Sequence, residues 1–75
     1  MNRTLVEAVS SILNIQPETV KPDTSATNTP TWDSLAHLRL ILEIEHSLGI
    51  RFKTQDIPKL TSVALLDQAV LELKR

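Results

Sequence analysis

Seventy-five residues, 41% of them apolar, suffice for one compact core and no second layer, so residues 1–75 are expected to form a single domain. With no cysteine and only two histidines, the chain excludes disulfides, Cys/His zinc frameworks and thiol chemistry of its own, and regular helix packing must supply its stability. A net charge of −1 gives no field strong enough to gather nucleic acid phosphates.

Leu5, Ala8, Val9, Ile12 and Leu13 recur at helical spacing and predict a first helix over about residues 4–14, extendable to Asn2. Thr4, with Glu7 three residues on, has the form of a capping box. Residues 15–33 hold three of the four prolines, Pro17, Pro22 and Pro30, and nineteen residues is long for a connection in so small a domain. Its apolar members Ile15, Val20 and Ala26 predict a loop that folds back across the helices. Asp23, Ser25 and Thr27 have the opening spacing of a calcium loop, but Asn28 stands where glycine is required and Ser34 where a bidentate glutamate is required, so no metal site is expected.

The next helix, Ser34 to Leu48, is apolar on two faces. His37, Leu40, Ile41, Ile44 and Leu48 project to one side as a core stripe, whereas Leu35, Leu38 and Leu42 cluster elsewhere, flanked by Arg39 and His46 on one side and Glu45 on the other. Gly49, the only glycine, predicts a left-handed stop with Ile50 as its apolar follow-up contact. Thr54 to Leu60 reads as a loop with one short helical turn, since Pro58 fits only a first turn. Ser62 then caps a last helix whose buried stripe is Leu65, Leu66, Ala69, Val70 and Leu73, with Lys74 and Arg75 at the negative end of its dipole. No segment alternates with period two. The expected fold is therefore all-α: a small four-helix bundle of three longer helices and a short third one, with a long loop between the first two.

His37 and His46 project to opposite sides of one helix and cannot share a metal in one chain; His37 is expected at the core edge and His46 in solvent. Phe52 reads as a core plug and Trp32 as an anchor of the loop end, with direct partner contact as the alternative for Trp32.

Asp33-Ser34-Leu35 lies where the long loop meets the two-faced helix. On its own it reads as an N-cap, with Asp33 or Ser34 satisfying an orphan amide. In context, Trp32-Asp33-Ser34-Leu35-Ala36-His37-Leu38 resembles the phosphopantetheine attachment motif of the acyl and peptidyl carrier proteins. Leu42-Glu43-Ile44-Glu45 through Leu48-Gly49-Ile50-Arg51-Phe52 is similar to that family's second-helix ending, and Leu60-Thr61-Ser62-Val63 to the lead-in of its last helix. The match runs over nearly the whole chain and includes its length, long loop and short third helix.

The resemblance implies that a phosphopantetheinyl transferase moves 4′-phosphopantetheine from coenzyme A onto the Ser34 hydroxyl. Acyl or aminoacyl groups would ride on the arm's thiol as thioesters while an activating ligase and a downstream synthase or transferase act on them. The chain would be substrate and shuttle rather than enzyme, with no catalytic residue of its own. By the same resemblance Asp33 orients the serine for the transferase, and the exposed face with Leu35, Leu38, Arg39, Leu42 and Glu45 meets partner enzymes. Leu38 has lining of the interior as its alternative, and all three leucines have burial against neighbouring elements as theirs. The helix departs from fatty-acid carriers in offering only Glu43 and Glu45, interrupted by Arg39, where those carriers present a strongly acidic surface to basic partners. A discrete, specialised carrier is the expectation, of fatty-acid or polyketide type, with an aminoacyl or peptidyl carrier as the runner-up and an unmodified helical adaptor as the rival from another class. No apolar run approaches membrane-span length and no secretion-type N-terminus is present, so a monomer working in the cytoplasm, away from membranes and nucleic acid, is expected.

Overall fold

The computed structural model describes residues 1–74, and Arg75 lies outside them. Three α-helices are formed, α1 (Arg3–Leu13), α2 (Ser34–Leu48) and α3 (Val63–Leu73), with single 3-10 turns at Pro17–Thr19 and Ile57–Lys59. Among the described residues there is no strand, only an isolated bridge between Ser25 and Ser62. Where a short third helix was expected there is the one 3-10 turn at Ile57–Lys59, with Pro58 in its first turn.

Helix α1 buries Leu5, Ala8, Val9 and Leu13, an i, i+3, i+4 stripe, against α2. The expected capping box is not its start. Asn2 is the N-cap, and its Oδ1 accepts the Leu5 amide at 3.2 Å, satisfying a donor that Thr4, already inside the helix, cannot reach. At the other end Asn14 takes a left-handed conformation (φ 57°), and the Asn14 and Ile15 amides both turn back to the Ser10 carbonyl. Gly49 (φ 65°) and Ile50 close α2 in the same way on Glu45 O. Both stops thus use one motif, with asparagine in the first and glycine in the second, the two residues that tolerate that backbone best.

The core gathers Leu40, Ile41 and Ile44 of α2 with the α1 stripe and with Val63, Leu66 and Val70 of α3, closed by Val20, Trp32, Phe52 and Leu60. The α3 stripe differs from expectation. Leu65 and Leu73 are 47% and 39% exposed, because Val63, the first helical residue, goes into the core and sets the phase for Leu66 and Val70.

The long loop is held across the start of α3. Thr24 O accepts the Val63 amide at 2.8 Å, Pro22 O the Ala64 amide at 3.0 Å, and Ser62 Oγ the Leu65 amide at 3.2 Å. With Leu66 N on Ser62 O as the first bond of the helix itself, the three leading helical amides, Val63, Ala64 and Leu65, all have partners. Ala26 N returns the contact by donating to Thr61 O at 2.9 Å. Within the loop, Asn28 donates to Asp23 O and accepts from Ser25 N, so the segment that shares calcium-loop spacing closes on itself by side-chain-to-backbone bonds. Lys74 is the C-cap residue of α3, at the end of its own helix as expected, and its Nζ also donates to Leu48 O at 3.3 Å, in the last turn of α2; Arg75, expected beside it, lies outside the described residues. No helix is long and apolar enough to cross a membrane among the described residues.

Candidate functional site

Ser34 is the first residue of α2 and is exposed. The residue before it does the capping: Asp33 is extended (φ −98°, ψ −174°), its Oδ1 accepts the Ala36 amide at 2.8 Å, and its carbonyl accepts His37 N at 2.8 Å. Of the two capping alternatives, the structure therefore assigns the cap to Asp33. The Ser34 hydroxyl makes no hydrogen bond among the described residues, and neither do the Ser34 and Leu35 amides. The α2 start thus differs from that of α3, whose amides are taken up by the loop and Ser62. It presents a free hydroxyl beside two outward amides at the positive end of a fifteen-residue helix.

The cap is separable from the hydroxyl. Asp33→Ala removes the Ala36 bond and is expected to cost about 0.5–2 kcal/mol, whereas Asp33→Asn keeps an acceptor oxygen and most of the stability. Thermal melts followed by circular dichroism should show roughly 4–8 °C lost per kcal/mol for the alanine variant. Equal melting of both variants would remove Asp33 from the cap role.

Behind Ser34 lies an open groove of about 580 Å³, within the range of small-ligand clefts. It is lined by Trp32 at the end of the long loop, by His37 and Leu38 near the start of α2, by Ile57 and Pro58 of the 3-10 turn, and by Thr61. One ring organises it. Trp32 Nε1–H donates to His37 Nδ1 at 3.0 Å, and since an indole N–H can only donate, Nδ1 is the acceptor and Nε2 carries the proton that goes to Ile57 O at 2.8 Å. The two rings are joined edge to edge and nearly coplanar, with centroids 6.1 Å apart and 22° between their planes. Trp32 is buried, as an anchor should be, and His37 is half-buried at the core edge, while His46 is exposed. The Trp32–His37–Ile57 chain of bonds was not foreseen. The helical wheel places His37 on the core stripe, but nothing in the spacing shows that a residue before the helix turns back to reach it.

The second apolar stripe of α2 is free of the core: Leu35, Leu38 and Leu42 are 68%, 55% and 65% exposed. Leu38 lines the groove from outside rather than the interior. Arg39 is exposed on the same helix. Glu45, half-buried, directs Oε2 at the Phe52 amide, which it accepts at 2.9 Å, so part of its carboxylate is spent holding the chain after Gly49. Glu43 accepts from Ser47 Oγ at 2.8 Å. Phe52 is buried in the core as expected. No cluster of three or more potential metal ligands occurs among the described residues.

Neither a protein-family model nor a curated protein sequence matches this chain. The fold and site define a small helical protein with a free serine at a helix start, an open groove behind it and three exposed leucines on the following turns.

Proposed function

We propose that the protein is a carrier that holds acyl intermediates as thioesters on a 4′-phosphopantetheine arm attached to Ser34, in specialised fatty-acid or polyketide-type biosynthesis in the cytoplasm. The observation that carries this reading is the Ser34 hydroxyl, exposed and unbonded at the start of α2 within the segment that resembles the carrier attachment motif. The site fits the group. The Ser34 and Leu35 amides are placed to favour a phosphodiester, and the neighbouring groove offers an apolar wall beside the attachment point. As a carrier, the chain would be a four-helix bundle whose third helix has shrunk to the turn at Ile57–Lys59.

In the attachment step the Ser34 oxygen attacks the pantetheine-bearing phosphorus of coenzyme A. The phosphoanhydride bond to the nucleotide breaks, 3′-phosphoadenosine 5′-phosphate leaves, and the hydroxyl proton passes to a base of the transferase. No base is needed on this chain, whose part is to present the hydroxyl. When bound, the arm supplies the thiol that the cysteine-free sequence lacks. Ligase, transferase and synthase would then meet α2 through Leu35, Leu38 and Leu42, with Arg39 setting charge preference.

Exposed leucines also suit an unmodified adaptor, so the test must tell them apart. Co-expression with a broad-specificity phosphopantetheinyl transferase is expected to add one phosphopantetheine to the wild-type mass. Leu42→Asp should keep the helical spectrum and lower transferase kcat/KM by about tenfold, equivalent to 1.4 kcal/mol of docking energy. An adaptor predicts no mass increment in either protein. Loading of the modified protein with acyl and aminoacyl donors in parallel then distinguishes the two carrier types by which thioester forms.

A further inference from the structure

We infer that His37 is a latch that closes the core to cargo, so that a chain carried at Ser34 lies in the open groove beside α2 and not among the core side chains. The inference rests on the carrier reading. His37 stands one turn beyond Ser34 on the face of α2 that continues into the buried Leu40, Ile41 and Ile44, and it lines the groove beside the attachment point. Both of its ring nitrogens are engaged, one with Trp32 of the loop and the other with Ile57 O of the 3-10 turn, twenty residues on. Three separate segments therefore meet on one imidazole at the inner side of the groove.

The composition of the groove agrees. None of the fully buried side chains of the core, such as Leu40, Ile44, Val63 and Leu66, lines it, and Trp32, the buried residue that does, is itself part of the latch. The groove is apolar through Leu38, Ile57 and Pro58 yet open to solvent, so it can rest a carbon chain without enclosing it. His37 is thus a specificity-determining residue. With the latch closed, thioester and chain remain on the surface where partner enzymes can reach them; with it broken, the gap between α2 and the turn at Ile57 leads to the core.

The absence of cysteine makes the test direct. Ser34→Cys introduces a single thiol, to which an octyl chain can be tethered through a spacer as long as the pantetheine arm, and amide and methyl NMR spectra are compared with and without the chain. With His37 in place, the octyl chain is expected to shift only groove signals, such as Leu38, Ile57 and Thr61, and to leave the methyls of Leu40, Ile44, Val63 and Leu66 unmoved. Adding His37→Ala should bring shifts into those core methyls. Trp32→Phe, which keeps an aromatic ring at the site but removes the indole N–H donor, should do the same and covers the case in which His37→Ala fails to fold. Core shifts with His37 present, or none in the folded variants, would overturn the latch. Because tethering needs no transferase, its result stands apart from modification of Ser34: a silent serine in the co-expression assay counts against the carrier reading, and misplaced shifts count against the latch.

Discussion

Replacing Ser34 with alanine is expected to abolish phosphopantetheine attachment completely while changing stability by no more than about 0.5 kcal/mol. The two halves of this result come from different atoms. On the carrier reading, attachment requires the Oγ oxygen, which would become the bridging atom of the phosphodiester, and alanine removes it. Stability depends on the cap and the first helical bonds, which belong to Asp33 Oδ1 and the Asp33 carbonyl. The Ser34 side chain is exposed and unbonded, and alanine is the better helix former at that position. Intact mass and a thermal melt on the same sample measure both halves. A retained increment would place the arm elsewhere, for instance on exposed Thr31, and a large loss of stability would return the cap to Ser34.

The largest structural effect is expected at Leu40. This side chain is fully buried in the core that the three helices share, and truncation to alanine should cost about 2–5 kcal/mol. A cysteine-free domain of this size has only about 3–5 kcal/mol in total, so Leu40→Ala should be largely unfolded at room temperature. Leu38→Ala, two residues earlier but 55% exposed, should stay within about 0.5 kcal/mol of wild type. Urea titrations of the two variants measure the contrast. The reverse order would mean that the faces of α2 are exchanged, and the exposed leucine stripe would lose its role.

That the faces of α2 could be read from sequence has a physical reason. Its limits carry strong local signals, an aspartate cap and the only glycine, and its two stripes are separated by charged residues, so the wheel alone distinguishes them. Weaker signals misled at the ends of the other helices. Thr4 and Glu7 match a capping box, but Asn2 is an equally good cap and sits where it leaves Leu5 and Val6 amides paired. Asn14 performs the same stop as Gly49 without being glycine, a role that only its backbone angle reveals. In α3 the leucine-rich stripe concealed a phase set by Val63, because leucines at Leu65 and Leu73 look buried wherever they fall.

The loop was legible in length and in its tendency to fold back, not in its bonds. Backbone carbonyls of Pro22 and Thr24 close the start of α3, and carbonyl positions leave no mark on residue identity. The place of Ser34 at the exposed start of α2 was legible from the end of the proline-bearing loop and the Asp33 cap. The groove behind it was not, since it is made by residues from the loop, from α2 and from a turn some twenty positions on, brought together by one histidine whose partners only the folded chain defines.

The charge pattern bears on partner choice in the same way. Two acidic residues on α2 are partly occupied, Glu45 by the Phe52 amide and Glu43 by Ser47, which leaves Arg39 and the leucines as the prominent outward features of that helix. A partner surface matched to it should be apolar at its centre and weakly charged at its rim rather than strongly basic.

The most direct measurement is the intact mass of the protein purified from the cells that make it, followed by fragmentation of the modified peptide. The carrier account predicts the sequence mass plus one phosphopantetheine, with or without a thioester-bound acyl group, and places the increment on Ser34. The bare sequence mass in cells that contain an active transferase, or an increment located on any other residue, would contradict it.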